Sequence, residues 1–204
     1  MTQRGPYAKG KVKRAEILNA ALQIIDQQGY SAATVKNLAE AVGLSQMGLL
    51  HYFGSKDALF LEILRHNDEV TTVKVDAPNA DFSENMAAGV LRGLDDQIAS
   101  PGMTQLTLRV VGEATEPDHM AHGFVQNRYM WMRQIVIDAV TRLQADGSLP
   151  AGLDANAVAA LVFAAWDGLQ IQWMYDPSLD VHACMAYLLK ALGFEPTPPV
   201  QDEQ

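Results

Sequence analysis

Cysteine is nearly absent from this chain, since Cys184 is the only one among 204 residues. A single cysteine can form neither an intrachain disulfide nor a thiolate zinc cluster, and Cys184 lies in a helical apolar pattern that favours packing. The sequence also has no glycine-rich phosphate loop, no Gly-x-Ser-x-Gly elbow and no Cys/His pair at a recognisable spacing. We therefore expect no disulfide framework, no cofactor and no catalysis.

Long hydrophobic runs are missing as well. The longest, Ala157 to Trp166, has ten residues, whereas a helix needs roughly 20 to cross a bilayer. The basic, polar N-terminus does not resemble a secretion signal. Because 49% of the residues are apolar, the chain can fill a hydrophobic core. We expect a cytoplasmic protein with one small and one larger domain and no membrane partner.

Negative charge dominates, but it is unevenly placed. Residues 1–74 have a net charge of +2 and residues 75–204 a net charge of −11, which together give the total of −9. A chain whose positive and negative charges are separated in this way can bind nucleic acid through its basic end. The first fourteen residues contain five basic side chains and no acidic one, namely Arg4, Lys9, Lys11, Lys13 and Arg14. They are either an arm, disordered alone, that follows phosphates or enters the minor groove, or a solubilising terminus.

Apolar spacing predicts helices throughout the chain, and hence an all-α fold of about nine helices. The first carries Leu18, Ala21, Leu22 and Ile25 and is closed by Gly29. The fourth follows Ser55 and fades between His66 and Thr72, before a loop over residues 75–83. The remaining five are expected at Ala87 to Ile98, Met103 to Glu116, His119 to Asp146, Asp154 to Met174 and Val181 to Leu192, followed by a proline-rich tail.

The segment from Thr34 to Leu64 is the most informative part of the chain. It predicts two short helices joined by a tight turn at Gly43 and followed by a third helix, each with an N-capping residue, namely Thr34, Ser45 and Ser55. This spacing is what a helix-turn-helix needs to place one helix in the DNA major groove. The inward positions that would hold the pair together are Leu38, Ala39, Val42, Leu44, Leu49 and Phe53.

From Ala15 to Leu64, and above all in HYFGSKDALFLEIL from His51, the sequence resembles the DNA-binding end of the tetracycline-repressor (TetR) family. The resemblance implies a bacterial transcriptional regulator with two domains. Residues 1–55 would form the basic arm and a three-helix DNA-binding domain, and residues 56–204 a larger helical domain for ligand binding and dimerisation. The alternative is an ordinary helical hairpin whose spacing happens to match.

The resemblance also implies which side chains contact double-stranded DNA. Gln46 has the donor and acceptor pair that suits an adenine edge, and Met47 suits a thymine methyl group. The others are expected mainly at phosphates, which set register rather than sequence choice. Leu50 departs from the family pattern, in which Tyr is common. The full predicted set is Thr34, Lys36, Ser45, Gln46, Met47, His51, Tyr52 and Lys56. Each of these could instead be a solvated helix-face residue.

The last two helices are predicted to mediate dimerisation. The segment from Ala157 to Trp166 is apolar all round and too short for a membrane, so we expect one side to face its own core and the other a second copy. TetR-like proteins pair the helices that match residues 154–174 and 181–192, which implies a homodimer on a palindromic operator. A single deep monomeric core is the alternative.

Large aromatic and polar residues of the C-terminal half are candidates for binding a small organic ligand. The segment DGLQIQWMYDP from Asp167 loosely resembles the choline-responsive BetI branch, and an aromatic cage with Asp167 could hold a cation. The candidates are Arg109, Arg128, Trp131, Ile135, Phe163, Trp166, Asp167 and Gln170. Plain core packing explains the same pattern. A metal site at Glu113, Glu116, His119 and His122 is a rival, although solvated helix ends account for these residues and we predict no metal.

Taken with the resemblance, these patterns predict a ligand-responsive repressor. An effector in the larger domain would move the fourth helix and change the separation of the two reading helices. The rival hypothesis is a helical small-molecule binding or scaffold protein that has lost DNA binding.

Overall fold

A computed structural model describes residues 6–75 and 86–194 of the chain. These residues form nine α-helices, one short 3₁₀ helix at Tyr30–Ala32 and no strand, so the predicted all-α fold is confirmed. None of the described helices is both long and apolar enough to cross a membrane. The helices are α1 (Pro6–Gln28), α2 (Val35–Ala41), α3 (Gln46–Phe53), α4 (Lys56–Val75), α5 (Met86–Ala99), α6 (Pro101–Glu113), α7 (His122–Ala145), α8 (Ala155–Tyr175) and α9 (Val181–Ala191).

All three N-caps predicted between Thr34 and Leu64 are formed. The hydroxyl oxygens of Thr34, Ser45 and Ser55 each accept a hydrogen bond from the backbone N–H three residues later, at 3.1, 3.0 and 3.0 Å. Each bond satisfies a donor that has no partner inside its helix. The starts of α2, α3 and α4 are therefore fixed by local sequence.

Two glycines end helices as the sequence predicts. Gly29 follows α1 with φ of 81°, and Gly43 lies between α2 and α3 with φ of 67°. Both angles fall in the left-handed region, where a Cβ would be strained. The 3₁₀ helix directly after Gly29 was not predicted.

Several helix bounds differ from the prediction. Helix α4 continues through the polar segment to Val75, α6 starts at Pro101 rather than Met103, and α7 starts at His122 rather than His119. Pro101 occupies the first turn of α6, where proline is tolerated because that N–H would lack a partner anyway. Apart from Val75, the predicted loop over residues 75–83 lies outside the described residues, as do Arg4 and the proline-rich tail.

The chain divides into two compact units. Among the described residues, what we call the first unit comprises residues 6–74 together with 100–123, and the second unit comprises residues 75, 86–99 and 124–194. Because the units follow packing rather than chain order, α6 belongs with α1–α4. The domain boundary between residues 55 and 56 stays a prediction. The fully buried core side chains of the first unit are Ile17, Ala21, Ile25, Leu49, Leu59, Ile63, Leu64 and Leu106.

Close backbone contact joins α6 to the end of α1. A Cβ built on Gly102 would lie 2.4 Å from the carbonyl oxygen of Ile25, well inside van der Waals contact. Leu106, one turn further along α6, is completely buried. The absence of a side chain at Gly102 therefore lets the two helices approach.

The second unit packs α5, α7, α8 and α9 around one apolar core. A Cβ on Gly93 of α5 would lie 2.8 Å from the ring of Trp166 of α8, so this glycine makes room for the indole. Trp166 thus contributes to packing as well as being a predicted ligand residue. The central core side chains are Met86, Val90, Leu94, Val136, Val140, Val158, Val162, Met185 and Leu189.

We expect Gly102→Ala to lower the free energy of unfolding by about 1–3 kcal/mol, because the added methyl group overpacks a backbone contact. Gly112→Ala, in the same helix, is the matched control, since a Cβ there meets nothing within 4 Å. It should leave stability unchanged or raise it by up to about 1 kcal/mol through helix propensity. Urea titrations of both variants would measure the difference, and equal midpoints would contradict the role of Gly102.

Candidate DNA interface and effector site

Helix α3 has one buried and one exposed face. Leu49 is fully buried and Phe53 is 8% exposed, whereas Met47 is 84% exposed. Gln46 and His51 are exposed beside Met47. The two residues predicted to read bases therefore lie on the outer face of the first turn of α3, the part of a recognition helix that contacts base edges.

The other residues predicted to contact DNA lie at the start of α2, at both ends of α3 and at the start of α4. Thr34 and Ser45 use their hydroxyl oxygens as caps, but each hydroxyl still has its own proton to donate. Lys36 and Lys56 are exposed, and the Lys56 ammonium nitrogen lies 5.7 Å from the ring centroid of Phe60. Tyr52 is half-buried. Contacts of these residues with DNA stay a prediction.

Two of the basic residues for which we left open either a disordered arm or a solubilising terminus belong to α1. Lys13 Nζ donates to the carbonyl oxygen of Val42 at 2.8 Å, and Arg14 donates to that of Tyr52 at 2.5 Å. The expectation of disorder is wrong for residues 6–14, because the helix starts at Pro6. The carbonyl groups at the ends of α2 and α3 need donors, and the cations of Lys13 and Arg14 satisfy two of them.

A small cleft in the first unit brings together residues to which we had assigned different roles. The rings of Tyr30 and Phe60 are 5.6 Å apart, and the Arg109 guanidinium lies 5.8 Å from the Tyr30 centroid. Arg109 also donates to Glu113 at 2.9 Å, a bond that raises the pKa of Arg109. Lys56 and His119 complete the lining together with other side chains. Arg109 therefore lies in the first unit, whereas the other seven predicted ligand residues lie in the second.

The rival metal-site residues make separate local contacts. Glu113 pairs with Arg109, His122 Nδ1 lies 2.9 Å from the carbonyl oxygen of Ala114, and His119 Nδ1 accepts the N–H of Ala121 at 3.2 Å. Within residues 6–75 and 86–194, no three His, Cys, Asp or Glu side chains are grouped so as to hold a metal ion.

In the second unit, a side-chain hydrogen bond joins α7 to α8. The Tyr129 hydroxyl donates to the Asp167 carboxylate, and both side chains are half-buried. Burial raises the pKa of Asp167, although the bond from Tyr129 opposes this, and burial together with the Asp167 bond raises the pKa of Tyr129. Tyr129 was missing from the predicted ligand residues, yet its apolar row, shared with Val125 and Met132, could have indicated that it faces inward.

Gln170 is the most unusual polar residue of this region. It is 2% exposed, and its Nε2 has no hydrogen-bond partner among the described residues. A buried donor without a partner costs on the order of 1–3 kcal/mol. Gln170 lies three residues after Asp167 on α8, so both fall on neighbouring positions of one helix face.

The aromatic candidates differ in their surroundings. Phe163 is 8% exposed and its ring centroid lies 6.3 Å from that of Trp166, so these two rings are brought together. Trp131 is 53% exposed, while Arg128 and Ile135 are half-buried. Their contact with a ligand stays a prediction.

Two family models match the sequence. The model described as "Bacterial regulatory proteins, tetR family" matches residues 17–63, and "BetI-type transcriptional repressor, C-terminal" matches residues 83–192, which is more than half of the chain. The chain belongs to the TetR family. The predicted resemblance, including its BetI-type second half, is therefore confirmed.

Curated relatives of this TetR-family protein are transcription regulators. It is 35% identical over 89 residues to the HTH-type transcriptional regulator RutR of Escherichia coli, covering 41% of this chain and 42% of RutR. It is 31% identical over 140 residues to the HTH-type transcriptional repressor AcnR of Corynebacterium diphtheriae, covering 68% of this chain and 67% of AcnR. The chain thus spans about two fifths of the length of RutR. Transcription regulation through a DNA-binding helix-turn-helix is accordingly its family function, and the family and these relatives are not enzymes.

Solved structures share the fold of this TetR-family protein. A FadR from Bacillus subtilis in complex with stearoyl-CoA has a TM-score of 0.68 at 17% identity, over 88% of this chain and 97% of that one. A regulator from Saccharomonospora viridis in complex with choline has a TM-score of 0.64 at 22% identity, over 89% and 95%. At these identities the likeness concerns the fold alone.

The raised pKa of Asp167 predicts a pH dependence for this TetR-family protein. An acid whose pKa is higher in the folded state binds its proton more tightly there, so stability falls as the pH rises above the unfolded pKa of about 3.9. We expect Asp167→Asn to unfold at higher urea than the parent at pH 7, because the amide keeps an acceptor for Tyr129 without the buried charge. The difference should shrink as the pH approaches 4.

Asp146 offers a control of opposite sign. Hydrogen bonds from Ser148 lower the pKa of its exposed carboxylate, so its ionisation favours the folded state, and this contribution is lost as the pH falls. Asp146→Asn should therefore be the less stable protein at pH 7 and converge with the parent in acid. Urea midpoints of Asp167→Asn that do not exceed the parent's at pH 7 would refute the burial argument.

Proposed function

We propose that this TetR-family protein is a cytoplasmic, non-enzymatic repressor that binds a palindromic operator as a homodimer and is released by a small organic effector. The main observation is the exposed outer face of α3, where Met47 is 84% exposed above the buried Leu49 and Phe53. Each protomer would place this face in a major groove, with the half-sites related by the twofold axis of the dimer.

The chemistry of the first turn of α3 supports reading of bases. The Gln46 carboxamide can both donate to and accept from an adenine edge, and the Met47 side chain can contact a thymine methyl group. Around them, Lys36 and Lys56 supply exposed cations for phosphates. Gln46 and Met47 would thus determine which sequence is bound, and Lys36 and Lys56 would set the register of the protein on the DNA.

The surface of α8 supports the dimer. One side of this helix is buried in the core through Val158, Val162 and Phe163. The opposite side carries an apolar stripe that is exposed in the single chain, formed by Ala157, Ala160, Leu161, Ala164, Ile171 and Tyr175. Helix α9 adds exposed Ala183, Cys184, Tyr187 and Ala191, so the expectation that Cys184 is packed is wrong for the single chain. A stripe of this kind on two adjoining helices suits pairing with the same helices of a second copy.

An effector site in the second unit is supported by its mixture of groups. Phe163 and Trp166 offer aromatic surface, Asp167 offers a carboxylate to a cation, and Gln170 offers a buried amide donor. We propose an aromatic or cationic organic molecule as the ligand. The regulators of similar fold from Bacillus subtilis and Saccharomonospora viridis were solved with stearoyl-CoA and choline.

Release requires only that the effector prefers a state whose reading helices do not fit the operator. Helix α4 follows α3 after Gly54 and Ser55, and we propose it as the element that carries the change. A preference of about 1.4 kcal/mol for that state lowers operator affinity tenfold.

The decisive test uses DNA selected by the protein itself from a random-sequence duplex pool. A variant with Gln46→Ala and Met47→Ala should bind the selected duplex at least tenfold more weakly, since a good base contact contributes about 1–3 kcal/mol. Fluorescence anisotropy would measure the dissociation constants. Gln105→Ala, at an exposed position of α6, should bind like the parent. Failure of the parent to enrich any duplex would favour a helical small-molecule binding protein instead.

The dimer can be tested separately. We expect Ala160→Glu to raise the dimer dissociation constant at least tenfold, because it places a charge in the centre of an apolar interface. Ala145→Glu, an exposed alanine at the end of α7 and off the stripe, is the matched control. Analytical ultracentrifugation would measure both, and a dimer that tolerates Ala160→Glu would place the interface elsewhere.

A further inference from the structure

Arg14 of α1 makes three contacts with later parts of the first unit. Its Nη1 donates to the carbonyl oxygen of Tyr52 at 2.5 Å, and its Nη2 donates to Glu62 Oε2 at 2.8 Å. The guanidinium carbon lies 4.6 Å from the ring centroid of Phe53. One planar group therefore contacts the end of α3 and the side of α4 together.

The contact at α3 falls on its last turn. The final carbonyl groups of a helix lack intrahelical partners and carry partial negative charge, so a cation stabilises them. Tyr52 supplies such a carbonyl, and the adjacent Phe53 is one of the two side chains that hold α3 against the core. Arg14 thus fixes the end of α3 opposite to the first turn that carries Gln46 and Met47.

The contact at α4 fixes the other side of the guanidinium. Glu62 lies between the buried side chains Leu61 and Ile63, so its backbone belongs to a well-packed part of α4. The rigid fork of a guanidinium can hold two acceptors at a set angle, which a lysine ammonium cannot do in the same way. A displacement of α4 would therefore act on the end of α3 through Arg14.

We propose that Arg14 is a positioning residue that sets the angle of α3 for reading bases and links it to α4. The inference rests on the proposed DNA-binding function and names a residue through which that function is controlled. It predicts that Arg14 governs discrimination between DNA sequences, whereas binding to unrelated DNA depends on the phosphate-facing residues.

Two other roles for Arg14 give different results. A direct phosphate contact would weaken binding to selected and unrelated DNA by the same factor and reduce the salt slope by about one. A purely stabilising role would lower the unfolding midpoint and leave the preference of the folded protein unchanged.

The experiment compares dissociation constants for a duplex selected by the parent protein and for a scrambled duplex, at several salt concentrations. Measurements are made below each variant's unfolding midpoint, as judged by circular dichroism. Arg14→Met should reduce the preference for the selected duplex at least tenfold, while its affinity for the scrambled duplex stays within twofold of the parent. Arg14→Lys should keep part of the preference.

Arg65→Met is the matched control, because Arg65 also faces Glu62, at 3.9 Å, from a position three residues along α4. It should keep the parent's preference. Glu62→Gln should lower the preference about threefold, and its effect should not add to that of Arg14→Met, since both remove the same link.

An unchanged preference in Arg14→Met, or equal losses on both duplexes, would overturn the proposal. If Arg14→Met does not fold, Arg14→Lys and Glu62→Gln test the proposal in its place. An unchanged preference for the selected duplex in both variants would also overturn it. A parent protein that selects no duplex would overturn the proposed function and this inference together, which distinguishes that failure from a failure of Arg14 alone.

Discussion

Burial of Leu49 and Phe53 is the interaction on which the reading surface depends. Helix α3 has eight residues, and isolated helices shorter than about 12–15 residues are marginal in water. It is therefore held in helical form by packing of these side chains, of which Leu49 is fully buried, and by the Ser45 cap. The same burial turns Gln46, Met47 and His51 outward. The burial of Leu49 and Phe53 therefore both stabilises α3 and exposes the residues that we propose to read bases.

The sequence predicted best those features that depend on a few neighbouring residues. Thr34, Ser45 and Ser55 are caps because each hydroxyl finds its N–H three residues later, whatever the rest of the chain does. The turn at Gly43 likewise depends on one residue, because glycine adopts a positive φ without strain. The family could be assigned from this segment, and the all-α fold was predicted from the helical spacing of apolar residues along the whole chain.

Features that depend on distant parts of the chain could not be predicted from spacing. Lys13 and Arg14 were counted as cations of a basic arm, because charge patterns do not reveal a carbonyl group in another helix that needs a donor. Gly102 gave no signal either, since its role depends on where the end of α1 passes. Arg109 was grouped by residue type with aromatic side chains of the second unit, although its partners are Glu113 and Tyr30.

The position of α6 has a consequence for how the protein is made. The first unit takes α1–α4 from one part of the chain and α6 from another, with α5 of the second unit between them. During synthesis, domains usually fold as units once their residues are available. Here the core around Ile25 stays incomplete until Leu106 has left the ribosome, by which time α5 has emerged as well. A nascent chain that ends after α4 would expose apolar surface, and would therefore be a natural target for chaperones.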